Sequence, residues 1–248
     1  MVSAVVLAAG ASTRMGTQKL LLPLAGEPLV RRSVASVCDA TFDDVLVVVG
    51  SEHEQILCAL EGLPIRHAFN MHYATGMGSS FRVAVANLPD AEAALFALAD
   101  QPFVTAAEYR KVLTAYREHR SPIVSVRYGD VMAPPHLFAR EFFPELAALE
   151  HGARPVLLRH RDRTTVLRFP PDLLVDVDTP DDYEEVKKRL SSGALHAPGR
   201  PLRKPPSKPC RRARSSARIE TATSLGVSAP MAKPTGLCTR DSFAEDGT

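Results

Sequence analysis

The first 190 residues alternate two kinds of segment, and that alternation limits the folds open to the chain. Short apolar runs such as Ala4-Val5-Val6-Leu7-Ala8-Ala9 and Val45-Leu46-Val47-Val48-Val49 are followed by polar turns and then by stretches of helical periodicity. A run that is apolar at every position suits a parallel strand covered on both faces. The pattern predicts strands at 4–8, 45–49, 65–69, 94–98, 123–126, 166–169 and 173–175. It predicts helices near 28–38, 54–60, 80–87, 106–119, 138–149 and 180–190. Such alternation specifies an α/β fold: a doubly wound, three-layer, mostly parallel sheet. Ligands of these sheets bind beyond the carboxyl ends of the strands, so the chemistry should follow the apolar runs.

The alternation stops at Ser191. Residues 1–190 carry 20 basic and 24 acidic side chains, whereas residues 191–248 carry 10 and 4. The segment HAPGRPLRKPPSKPCRRARSSAR offers little to bury, which predicts a disordered basic tail, 191–248, behind a domain at 1–190. The cluster from Arg200 to Arg218 suits a nucleic acid or an acidic partner electrostatically. The mildly acidic body excludes a uniformly basic nucleic-acid coat, and the tail reads as a solvated extension. No run of about 18 apolar residues predicts a membrane span. The first apolar run lacks a basic flank and reads as a strand, not a signal peptide. Cys38, Cys58, Cys210 and Cys238 are widely spaced, which argues against a disulfide framework or zinc site and fits a reducing cytoplasm.

Directly after the first strand come Ala8-Ala9-Gly10-Ala11-Ser12-Thr13-Arg14-Met15-Gly16-Thr17-Gln18-Lys19. Small residues and two glycines let backbone N–H groups approach an anion closely. Arg14 offers a bidentate fork and Lys19 a mobile point charge, so the loop reads as a diphosphate or triphosphate cradle. It is neither a Walker A loop nor a dinucleotide fingerprint, because GKS/T and GxGxxG are both missing.

Three further segments carry candidate chemistry. Gly76-Met77-Gly78-Ser79-Ser80 precedes a predicted helix and supplies N–H groups, hydroxyls and a positive helix end, or simply a cap. Asp100 stands at the tip of the fourth strand, where a magnesium ion could join it to phosphate oxygens; this cation prefers one or two carboxylates plus phosphates. Asp176-Val177-Asp178-Thr179-Pro180-Asp181-Asp182 combines an N-cap (Thr179), a first-turn proline and dipole-compatible acids. Asp178, just ahead of the cap, is the better second metal ligand.

LAAGASTRMGTQK resembles LAxGxSxRMGxxK, the signature of the molybdenum cofactor nucleotidyltransferases (MobA-like NTP transferases). Ala9, where the guanine-using branch usually has glycine, is similar to the CTP:molybdopterin cytidylyltransferase branch. The resemblance implies that Leu7, Ala8, Ala9 and Gly10 face the nucleotide while Arg14 and Lys19 grip its phosphates and act in catalysis. NMHYATGMGSSFR is similar to NPxxxxGMGSSLR, implying nucleotide contacts from Gly76, Gly78 and Ser80. ADQP resembles GDxP with Ala99 for glycine, and DVDTPDDY resembles D-[IV]-D-T-P-x-D-[FY], implying Mg²⁺ on Asp100 and Asp178. Similarity weakens at APPHLF and EHGAR, where Gly-His-Pro and Gly-Asp-x-Gly-Ala-Arg are usual; His136 and Arg154 are the acceptor contacts implied there.

The activity implied is transfer of CMP from CTP, or of GMP from GTP, to the phosphate of molybdopterin, with an apo-molybdenum hydroxylase as the downstream partner. Two alternatives stay open: transfer to a sugar or polyol phosphate, and noncatalytic carriage of the finished cofactor. Redox chemistry on this scaffold would need a flavin or nicotinamide fingerprint, which the sequence lacks.

Overall fold

The computed structural model describes residues 1–119 and 121–192; the predicted tail lies outside the described residues from 193 onward, and its first residue, Ser191, ends the last described helix. In chain order the elements are β1 (Val2–Ala8), β2 (Pro23–Leu24), β3 (Glu27–Pro28), α1 (Leu29–Cys38), β4 (Asp44–Val49), α2 (His53–Ala59), β5 (Arg66–Phe69) and α3 (Met77–Ala86). They continue with β6 (Ala93–Leu98), α4 (Ala106–His119), β7 (Ile123–Tyr128), β8 (Val131–Ala139), α5 (Phe143–Ala147), α6 (Arg154–Arg159), β9 (Thr164–Phe169) and α7 (Pro180–Ser191). Seven strands form one sheet in the order β5-β4-β1-β6-β8-β7-β9. β8 runs antiparallel to both neighbours, and every other pairing is parallel.

The apolar runs divide their side chains between two cores, as strand geometry requires. Val2, Ala4, Val6 and Ala8 of β1 join Val45, Val47 and Val49 of β4 on the face covered by α1, α2, α4 and α7. Val5, Leu7, Leu46 and Val48 join Phe81 of α3, Leu146 of α5 and Val156 of α6 on the other. Both faces of the central strands are therefore dry, and polar function is left to their ends.

Two predicted elements are corrected and one strand is added. No strand forms at 173–175, because Pro170-Pro171 opens a 3-10 turn, Pro171–Leu173. The helix predicted at 138–149 starts later: Phe138 and Ala139 end β8, a 3-10 turn follows, and α5 covers only five residues. β8 itself was unforeseen because Pro134-Pro135 argues against a strand interior. The strand accommodates them where its pairing with β7 shifts register, between Val124 and Val126. The Tyr128 hydroxyl donates to the Pro134 carbonyl at 2.9 Å.

Candidate active site

The loop leaving β1 is anchored on both sides. Ala99 N–H donates to the Leu7 carbonyl (3.2 Å) and Ser51 N–H to the Ala9 carbonyl (3.3 Å). Ala8 and Ala9 are buried, whereas Gly10 is exposed and a Cβ added there would meet nothing within 4 Å. The bare backbone at Gly10 is thus uncovered. Gly50, which sequence reasoning passed over, permits this arrangement. A Cβ on it would stand 2.6 Å from the Ala9 carbonyl and 2.7 Å from Tyr73 Cβ. Its signal was available: it follows Val47-Val48-Val49 just as Gly10 follows its own strand.

Lys19 lies between the two candidate metal ligands. Its Nζ stands 2.6 Å from Asp100 Oδ2 and 2.7 Å from Asp178 Oδ1, while Arg14 Nη2 reaches Asp178 Oδ2 at 2.8 Å. Asp100 is delivered by the end of β6. Asp178 is delivered by the start of α7, where Thr179 and Asp182 form a reciprocal capping box. The Asp182 carboxylate also accepts from Asp178 N–H (3.1 Å), and Val177 N–H donates to the Asp100 carbonyl (3.3 Å). The two aspartate segments are therefore fastened to each other before any ligand binds.

The electrostatics follow from this clustering. Partial burial works against the charge on Lys19, but Asp100 and Asp178 outweigh it and hold its pKa above the usual lysine value. Partial burial likewise opposes ionisation of Asp178, yet Lys19 and Arg14 pull its pKa below the usual carboxylate range. Asp176 is raised by desolvation and by the charges of Asp100 and Asp178, and it accepts a 2.9 Å hydrogen bond from Gln101 Nε2. Reading Asp176 as part of a plain capping cluster missed that bond.

One atom bears on metal binding. Asp100 Oδ1 is buried without a hydrogen-bond partner, a costly state for a carboxylate oxygen unless a ligand completes it. No cluster of three or more acidic, His or Cys side chains stands ready for a metal among the described residues. Two carboxylates with one lone oxygen match the sparse protein ligation of a hard divalent cation that takes its other ligands from phosphates and water.

The second glycine segment is packed against neighbouring parts of the chain. Gly78 is buried, its N–H donates to the Glu150 carbonyl (3.1 Å), and an added Cβ would lie 2.0 Å from the Leu149 carbonyl. A Cβ added at Gly76, which sits at φ +116°, would stand 3.0 Å from the Glu150 carbonyl. Ser80 is buried, and its hydroxyl accepts from Asn70 Nδ2 at 3.0 Å. Gly78 thus fastens the segment to the chain before α6, and Ser80 fastens it to the loop after β5. Asn70, fully buried, also donates to Ser79 Oγ (2.8 Å) and accepts from His72 N–H (2.9 Å).

On the acceptor side the structure separates the two candidates. Arg154 is exposed at the start of α6. His136 is a core residue on β8, 6% exposed, with Nδ1 3.0 Å from Ser125 Oγ. Burial lowers its pKa to about 3, so it is a neutral imidazole inside the sheet.

Fold and site together define a nucleotidyltransferase domain: a strand-end glycine loop with two cations opposite two carboxylates. The chain belongs to the MobA-like NTP transferase domain family, whose model matches residues 4–164. It is 30% identical over 200 residues to purine catabolism protein PucB of Bacillus subtilis, covering 75% of this chain and 96% of that protein. It is 33% identical over 135 residues to nicotine blue oxidoreductase of Paenarthrobacter nicotinovorans, covering 54% of this chain and 65% of that protein. Among solved structures, Rv0371c of Mycobacterium tuberculosis superposes with a TM-score of 0.65 at 30% identity, over 75% of this chain and 97% of that one. Rv0371c has also been solved in complex with manganese. No helix among the described residues is long and apolar enough to cross a membrane.

Proposed function

We propose that the protein transfers CMP from CTP to the phosphate of molybdopterin, a cytoplasmic reaction with pyrophosphate as second product. The observation that carries this reading is the convergence of Lys19, Asp100, Asp178 and Arg14 beside the open backbone of Gly10. A phosphate oxygen of the acceptor would attack the α-phosphorus, forming one P–O bond while the bond to the β-phosphate oxygen breaks. The acceptor phosphate is already ionised at neutral pH, so no general base is needed. Catalysis then rests on alignment and charge neutralisation.

In this reading Asp100 and Asp178 hold Mg²⁺, which supplies charge neutralisation on the phosphates when bound. Lys19 and Arg14 turn from the carboxylates toward the polyphosphate and offset charge gathering on the leaving pyrophosphate. Gly10 and its neighbours present N–H groups to the phosphates, and Ala9 favours cytosine over guanine. Arg154 holds the acceptor phosphate. With the functional residues all between 7 and 178, removing 193–248 should leave turnover intact.

The test is pyrophosphate release with CTP or GTP against molybdopterin, a sugar phosphate and a polyol phosphate. Turnover with molybdopterin and CTP supports the proposal; turnover with a sugar or polyol phosphate alone overturns it. The acceptors are run side by side because the chain departs from the usual acceptor motifs at APPHLF and EHGAR. A noncatalytic carrier would bind molybdopterin yet release no pyrophosphate with any pairing.

A further inference from the structure

We infer that Gln18 is a positioning residue that aims the phosphate-binding backbone and Lys19 at the nucleotide; this rests on the nucleotidyltransferase reading. The side chain is 3% exposed and both ends of its carboxamide are engaged. Nε2 donates to the Gly10 carbonyl (3.0 Å) and the Ser51 carbonyl (3.5 Å). Oε1 accepts from Ser12 Oγ (2.7 Å) and from Leu20 N–H (3.4 Å). Ser12 Oγ in turn accepts from the N–H of Lys19 at 3.2 Å. One carboxamide thus joins the loop after β1, the loop after β4 and the turn that carries Lys19.

The consequence is directional. The Gly10–Ala11 peptide is trans, so its C=O and N–H point opposite ways. With the carbonyl held inward on Gln18, the Ala11 N–H is turned away from the buried carboxamide. Among the described residues none accepts a hydrogen bond from the N–H of Gly10, Ala11 or Ser12. Ser12 is itself held in the left-handed region (φ 52°, ψ 36°), a conformation that is uncommon for a residue with a side chain. Its hydroxyl is bonded to the carboxamide of Gln18. A backbone with its unspent donors fixed in advance loses little ordering entropy when an anion arrives. An unpinned loop would have to find the same geometry at the moment of binding.

Gln18→Met keeps the length and removes all four bonds; Ser12→Ala removes the hydroxyl between Gln18 and Lys19. CTP affinity in Mg²⁺ is measured by equilibrium titration, with kcat, the KM for each substrate and urea unfolding alongside. The clamp predicts CTP binding weaker by about tenfold or more in Gln18→Met, as lost preorganisation costs, and a smaller loss in Ser12→Ala. It predicts an unchanged KM for the acceptor. CTP affinity within about twofold of wild type in both folded variants overturns the inference, even if urea midpoints fall. A parallel fall in every kinetic parameter, tracking stability, overturns it too. If Gln18→Met does not fold, Ser12→Ala decides alone. Wild-type protein that binds neither CTP nor GTP overturns the parent reading together with this one, whereas tight binding by wild type and variants alike removes the clamp only.

Discussion

Lys19 and Asp100 are separated by 81 residues, yet the lysine Nζ stands 2.6 Å from a carboxylate oxygen of Asp100, with only 13% and 18% of their side chains exposed. Removing the carboxylate charge leaves Lys19 with Asp178 alone and strips the proposed metal site of one ligand. Asp100→Asn should lower pyrophosphate release by about 100-fold or more, the scale of losing a key electrostatic group. Molybdopterin binding should largely survive, and near-normal turnover would remove Asp100 from the site.

Lys19→Ala leaves two carboxylates without their shared cation. Loss of a cation that serves in the transition state should fall on kcat, again by about 100-fold or more. Single-turnover measurements at saturating CTP check this. A change confined to KM would make Lys19 a ground-state contact only.

The buried imidazole gives the fold an acid dependence of known sign. Folded His136 is held near a pKa of about 3, while in the unfolded chain it titrates near about 6.5. Between those values the unfolded state binds the extra proton, so this residue's share of stability is complete above about pH 6.5 and is lost as pH falls toward 3. Urea midpoints from pH 7 to 4 should fall less steeply for His136→Asn than for wild type. Parallel slopes would refute the assignment.

Gly78→Ala places a methyl where the Leu149 carbonyl already stands, 2.0 Å away. Backbone must move, at about 1–3 kcal/mol by the scale of overpacked cores. Chemical denaturation measures the loss, and a variant as stable as wild type would show that the 149–150 segment is free to retreat.

Arg154→Ala isolates the proposed acceptor contact. The KM for the acceptor phosphate should rise about tenfold, as when one charge-assisted hydrogen bond is lost, with the KM for CTP unchanged. Equal effects on both substrates would place Arg154 elsewhere in the mechanism.

Features that depend on short spacing were legible in the sequence. Arg14 and Lys19 follow a strand within a dense loop, and Asp100 ends an apolar run. Thr179, Pro180 and Asp182 spell a helix start that the structure forms in full. What stayed hidden depends on distant partners. Gln18 looks like any polar loop residue until Ser51, 33 positions away, receives its hydrogen bond. The packing of Gly78 was hidden because nothing in the local sequence reveals the Leu149 carbonyl against it. His136 sat beside two prolines that disguised a strand, so its place inside the sheet could not be inferred from its neighbours.

Asp178 enters the domain just ahead of its final helix, and this orders events during synthesis on the ribosome. Lys19 and Asp100 emerge well before the residue that completes their ion cluster. A nascent or truncated chain ending before α7 would carry the loop and one carboxylate but lack the capping box that holds the other. The cluster of Lys19, Asp100 and Asp178 is therefore complete only once the chain through α7 has been made.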